Sequence, residues 1–187
     1  MADSENNPTN NQGGPTSGGP ASGGPASSGP TSTEQPPANF DIRKIYLKDA
    51  SCESPNAPAI FLSSIQQPDI SIDASIKVTQ LDQDDYFDVV LGVTVTSKVE
   101  DQTAFLVEVH QAGVFHIVGV SEQDMPLALQ IACPNVLLPF AREAISDLVT
   151  KAGFPQLLLT PINFEALYQQ KLAQDQAAAS AEETTQH

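Results

Sequence analysis

The sequence predicts an α+β domain. Apolar and polar residues alternate at a two-residue period up to about Val118, the period lengthens to three and four after Val120, and the two kinds of segment are not interleaved. Strands first and helices afterwards place C-terminal helices on one face of an antiparallel sheet.

The elements follow in order. Phe40 to Glu53, rich in Ile, Tyr and Leu, reads as a strand, and the proline-marked stretch Pro55 to Pro68 as a crossover away from it. Ile70, Ile72, Ala74, Ile76 and Val78 then alternate with Ser71, Asp73, Ser75, Lys77 and Thr79, as in a half-buried strand. The acidic link Asp82 to Asp85 leads into a further strand, with Phe87, Val89, Leu91, Val93 and Val95 on one face and Tyr86, Asp88, Val90, Gly92 and Thr94 on the other. A turn over Lys98 to Gln102 joins it to Thr103 to Val118. Three strands with short polar links form an antiparallel meander, so the sheet has four strands.

Ser121 followed by Asp124 resembles a capping box, with Asp shorter than the usual Glu. Leu127, Leu129 and Ile131, then Phe140, Ala144, Ile145 and Leu148, keep helical spacing, and Pro134 and Pro139 are expected to bend or interrupt the helix. Lys151 and Gly153 suit its C-terminus. Asn163 suits the start of a last helix containing Phe164, Leu167, Tyr168 and Lys171.

Two flanks differ in composition from this central region, residues 40–171. Residues 1–39 are rich in Gly, Pro and Ser, repeat Gly-Gly-Pro-Ala-Ser-like pentads from Gly13 to Ser32, and contain no Lys or Arg. Such a leader cannot bury enough surface to offset its backbone entropy and is expected to be disordered. Residues 172–187, rich in Gln, Ala and Glu, read as a flexible, weakly helical acidic tail.

The chain has 187 residues with 8 basic and 23 acidic, a formal net charge of −15. That charge repels phosphate backbones and anionic lipid, which disfavours nucleic-acid and membrane partners and favours a basic one. Cys52 and Cys133 are too few for a disulfide scaffold or a thiolate zinc site, and read as free thiols of a reducing cytoplasm. No apolar run reaches the ~18 residues of a membrane span, and the N-terminus has no signal-peptide pattern, so a soluble, cytoplasmic protein is expected.

No phosphate loop, dinucleotide fingerprint, nucleophile elbow or Cys-x-x-Cys occurs, so no catalytic residue, cofactor or metal is expected. His110 and His116 lie six apart on one strand, roughly 20 Å by strand rise, too far to share a metal. Asp82, Asp84 and Asp85 read as a solvated turn rather than a general acid. Glu108 stands beside Leu106 on one strand face. A buried unpaired carboxylate costs several kcal/mol, so that face is expected to be exposed.

Three segments carry a resemblance. Ile45-Tyr46-Leu47-Lys48-Asp49 with Glu53-Ser54-Pro55-Asn56-Ala57-Pro58, then Glu108-Val109-His110-Gln111-Ala112-Gly113-Val114-Phe115, form the first two. The third is Cys133-Pro134-Asn135-Val136-Leu137-Leu138-Pro139-Phe140-Ala141-Arg142-Glu143 with Phe154-Pro155-Gln156-Leu157 and Pro161-Ile162-Asn163-Phe164. Together they are similar to the SecB family of bacterial protein-export chaperones, over residues 40 to about 171. The resemblance implies a homotetramer, a dimer of dimers, that binds unfolded preproteins without nucleotide, keeps them translocation-competent and delivers them to SecA. It implies SecA contacts at Asp49, Glu53, Leu106 and Glu108. Assembly positions fall at Val107, Val109 and Gln111, and an apolar substrate groove at Ile70, Ile72, Phe154, Leu157 and Phe164. The basic, zinc-containing tail belongs to SecA, so no metal is expected here.

Two departures stand out. The Gly/Pro/Ser leader is longer than the family's usual N-terminal tail, and Ile65 stands near the crossover position where members often carry tryptophan. Two other functions fit less of the sequence. A hot-dog-type acyl-thioester enzyme needs paired catalytic groups that the chain does not offer. A SecB-like chaperone dedicated to a toxin-antitoxin partner would lose the acidic face that Asp49, Glu53 and Glu108 retain.

Overall fold

The computed structural model describes residues 37–62 and 68–184. The leader, except for its last three residues, and Ile65 of the crossover lie outside the described residues. Four strands, β1 (Asn39–Glu53), β2 (Asp69–Gln80), β3 (Tyr86–Val99) and β4 (Gln102–Val118), form one antiparallel sheet in the order β1-β4-β3-β2. The meander is β2-β3-β4. The crossover after β1, which includes a 3-10 turn at Ala59–Leu62, carries the chain from one edge of the sheet to the other. The Asp82-to-Asp85 link is exposed, and Asp85 takes a left-handed φ of 65°. The short Asp side chain tolerates that conformation, and the Asp85 carbonyl accepts the Ile117 N–H at 2.9 Å.

One face of the sheet is covered. Val89, Leu91, Val93 and Val95 of β3 and Val107, Val109, Phe115 and Ile117 of β4 are fully buried. They pack with Leu137, Ala141, Ile145 and Val149 of α2 (Cys133–Lys151), a four-residue repeat that forms a single helix stripe. Each such side chain contributes roughly 1.5 to 3 kcal/mol on leaving water. Gly113 permits the close approach of helix and sheet: a Cβ there would lie 3.0 Å from a Leu137 methyl and 2.8 Å from the Phe115 ring.

The helical region begins with α1 (Met125–Leu127) and passes through a π-helical turn, Ala128–Ala132, into α2. Ser121 and Asp124 do pair, since the Asp124 N–H donates to the Ser121 hydroxyl at 3.1 Å. The shorter Asp carboxylate accepts from that hydroxyl at 2.7 Å rather than from backbone, and the helix starts one step later. Pro134 falls in the first turn of α2, directly after the π turn that makes room for its ring. Pro139 lies inside α2, which runs on unbroken, because the flanking Leu138 and Ala141 are packed into the core.

The C-terminus of α2 is a Schellman motif. Gly153 (φ 93°) donates to the Thr150 carbonyl at 3.1 Å and Phe154 to the Val149 carbonyl at 3.2 Å, and Phe154 and Val149 join the same core. The extended stretch 155–163 leads to α3 (Phe164–Thr184), where the Asn163 Oδ1 accepts the Ala166 N–H at 3.0 Å. The helix continues from Lys171 into the stretch read as a weakly helical tail. The Ala, Gln and Glu that follow are strong helix formers and extend it to Thr184. Of the two long helices, α2 covers the sheet, while α3 meets the rest of the chain chiefly at the π turn.

Candidate functional site

Among the described residues no helix covers the second face of the sheet, and Asp49, Glu53, Leu106 and Glu108 lie on it. Antiparallel pairing sets Glu53 directly opposite Leu106, Ser51 opposite Glu108 and Asp49 opposite His110. The side chain of Asp49 is 70% exposed and that of Glu108 44%. His110 stands between them, with Nδ1 3.7 Å from the Asp49 carboxylate and Nε2 3.5 Å from that of Glu108. Gly92 on β3 opens the space under the imidazole, since a Cβ at that position would come within 3.1 Å of the ring. Three carboxylates, Asp49, Glu53 and Glu108, spread around an apolar Leu106 can receive a basic, partly apolar partner.

Deeper on the same face lies a charged group that the sequence did not single out. Asp88 of β3, 9% exposed, accepts hydrogen bonds from the Tyr46 hydroxyl and the Lys48 ammonium, both at 2.9 Å. The two donors reach from β1 across β4. The bond to Asp88 holds Lys48 above the usual lysine range. Burial, then the bond to Asp88, pushes the Tyr46 phenol up. Asp88 sits mid-strand on the polar face and Lys48 directly precedes Asp49, so both were visible in the sequence. The register that brings them together across β4 was not.

Further along the face, Arg43 bonds the Tyr86 hydroxyl at 2.9 Å and Tyr86 stacks on His116 with centroids 4.4 Å apart. His110 and His116 thus engage separate neighbours. Among the described residues no cluster of His, Cys, Asp and Glu could hold a metal ion.

Val107, Val109 and Gln111 face the opposite way. Both valines are fully buried under the helices and Gln111 is 4% exposed, its amide donating to the Tyr46 carbonyl at 2.8 Å. Their side chains are internal to this chain and offer no direct contact surface, because the strand alternation that exposes Leu106 and Glu108 turns them into the core.

The groove residues divide. Ile70, Phe154 and Leu157 line one pocket of about 350 Å³ at the β2 end of the sheet, together with Val99 and Phe105. Ile72 is on the same strand face as Ile70, and both are more than a third exposed. Phe154 packs its ring 5.0 Å from that of Phe105 and 5.1 Å from that of Phe61, a half-exposed aromatic of the 3-10 turn that sequence reasoning passed over. Phe164 departs from the expectation. At 1% exposed it anchors α3 in the core, because as the first residue of the helix it turns inward beside Leu167.

Both thiols are free. Cys52 is half-buried, and burial pushes the Cys133 thiol up to about 12. Among the described residues no helix is long and apolar enough to cross a membrane.

Residues 32–175 match the family model described as preprotein translocase subunit SecB. A protein-export protein SecB from Methylobacillus flagellatus is 51% identical over 151 residues, covering 81% of this chain and 94% of the relative. One from Methylococcus capsulatus is 51% identical over 146 residues, covering 77% and 93%. Among solved structures, a Mycobacterium tuberculosis SecB-like chaperone in complex with an antitoxin peptide superposes with a TM-score of 0.56 at 18% identity, over 66% of this chain and 91% of that one. That likeness concerns the fold.

Proposed function

The chain belongs to the SecB family of protein-export chaperones, and from that premise we propose that it works as a cytoplasmic homotetramer, a dimer of dimers, which holds unfolded preproteins and passes them to SecA. The family is one of chaperones and not of acyl-thioester enzymes. The observation that carries the docking half of the reading is the meeting of Asp49, Glu53, Leu106 and Glu108 on the helix-free face. A basic tail of SecA would find carboxylates there on a chain of net charge −15, which favours both encounter and orientation.

The client-holding half rests on the pocket formed by Ile70, Phe154 and Leu157, with Ile72 and Phe61 exposed beside it. An extended client places an apolar side chain in such a pocket for about 1.5 to 3 kcal/mol before ordering costs. The pocket reads apolarity rather than a motif. Repeating it around a tetramer multiplies modest contacts through effective concentration. Exposed Phe40, Ile42 and Leu47 on β1 and Phe140 on α2 supply apolar surface for assembly. Val107, Val109 and Gln111 influence that assembly indirectly, by setting how α2 seats on the sheet.

Calorimetry tests the reading. Glu108→Lys is expected to weaken SecA binding about tenfold while unfolded preprotein binds within about twofold of wild type. Equal loss of both would remove the separation of docking face and groove. Light scattering at micromolar concentration should give four chain masses, and a single-chain mass would overturn the tetramer.

A further inference from the structure

The register of β1 against β4 shifts twice, between Ile42 and Lys44 and between Leu47 and Asp49, and the docking carboxylates depend on the second shift. In an unbroken strand Tyr46 and Lys48 would share a face, and Asp49 would point to the other, under the helices. Instead the register shifts between Leu47, opposite Gln111, and Asp49, opposite His110, with Lys48 as the extra residue of a β-bulge. Lys48 and Asp49 therefore emerge on the same open face, and Ser51 and Glu53 follow. Without the bulge these three would turn inward, and Ala50 and Cys52 would turn out.

The bulge is tied from a distant strand. Asp88 on β3 takes one hydrogen bond from Tyr46, two residues before Lys48, and another from Lys48 itself, each at 2.9 Å. Both carboxylate oxygens are used, Asp88 is 9% exposed, and the tie passes over the small, buried Ala112 of β4. A buried carboxylate that lost these donors would carry an uncompensated charge, so the β1 conformation that supplies them is favoured over the slipped one.

We propose that Asp88, through Tyr46 and Lys48, is a positioning residue that fixes the β1 bulge and so keeps Asp49 and Glu53 on the docking face. The inference rests on the docking reading above. Its test measures binding of purified SecA and of an unfolded preprotein to Asp88→Ala, Asp49→Ala and the double variant. The single Asp88→Ala variant is expected to lose about tenfold in SecA affinity with preprotein binding within about twofold, and the double variant to lose clearly less than the two single losses combined, since with Asp49 already gone only the Glu53 contact is left to lose. A general loss of stability would instead add to the Asp49 effect. SecA binding unchanged in Asp88→Ala, or losses that add in full, would overturn the positioning role. SecA binding unchanged in Asp49→Ala would overturn the docking reading itself. Should Asp88→Ala fail to fold, Lys48→Met, altered at the exposed end of the tie, carries the same expectations.

Discussion

Two neighbouring residues of β4, Glu108 and Val109, lie in the same hydrogen-bonded ladder and share almost nothing else. Val109 is sealed between sheet and α2, whereas the Glu108 side chain is 44% exposed beside His110. The contrast recurs along β4, although Asp88, Val90 and Ala112 at the centre of the open face are themselves buried. The covered face tolerates only groups that fill the space against Leu137, Ala141 and Ile145, and the open face can spend its side chains on charge. Side chains can therefore change on the open side without repacking the other.

The largest effect that would sharpen this contrast comes from Val109→Asp. A carboxylate placed among Val93, Val107 and the α2 stripe has no partner, and a loss of about 5 kcal/mol in urea unfolding is expected, enough to leave little folded chain. A midpoint near wild type would mean that the covered face is open to water.

Alkali probes the same face through Cys133. Its thiol is held at about 12 by burial against an ordinary 9, so the native chain keeps a proton that the unfolded chain gives up between those values. The contribution is complete below pH 9 and declines as pH rises through about 12, at roughly 1.4 kcal/mol per unit. The phenol of Tyr46 and the ammonium of Lys48, both raised, act in the same direction. Urea midpoints measured from pH 8 to 11 should fall along this course, and Cys133→Ala should flatten most of the slope.

Smaller again is Gly153→Ala at the end of the covering helix. At φ 93° any side chain is strained, and about 1 to 2 kcal/mol should be lost in the same assay. On the open face Glu108→Lys should change stability by no more than about 0.5 kcal/mol, so that its effect on SecA binding is free of folding loss.

Much of the fold was legible because its elements obey local rules. The alternation from Phe87 to Val95, the caps at Asn163 and Gly153, and the exposed acidic turn all follow from residue type and spacing. The exposure of Glu108 followed from the cost of burying a charge. The bulge at Lys48 escaped, because a one-residue insertion in a ladder is fixed by a partner strand and leaves no local signal. Asp88 escaped for the same reason. Phe154 and Phe164 look alike in sequence and both are buried in the core, yet Phe154 also lines the pocket while Phe164 does not, a difference that no local pattern announces. The end of α3 was left open by the sequence, because an Ala- and Gln-rich run can be helix or coil on composition alone.

The sealed sulfur at the head of α2 also gives the molecule a built-in gauge. A sulfhydryl-counting dye has only two targets, of which Cys52 is partly within reach and Cys133 is shut away until the helix lifts. The slow fraction of dye uptake is thus a clock for how often helix and sheet part company, readable on the unaltered chain while cargo is aboard.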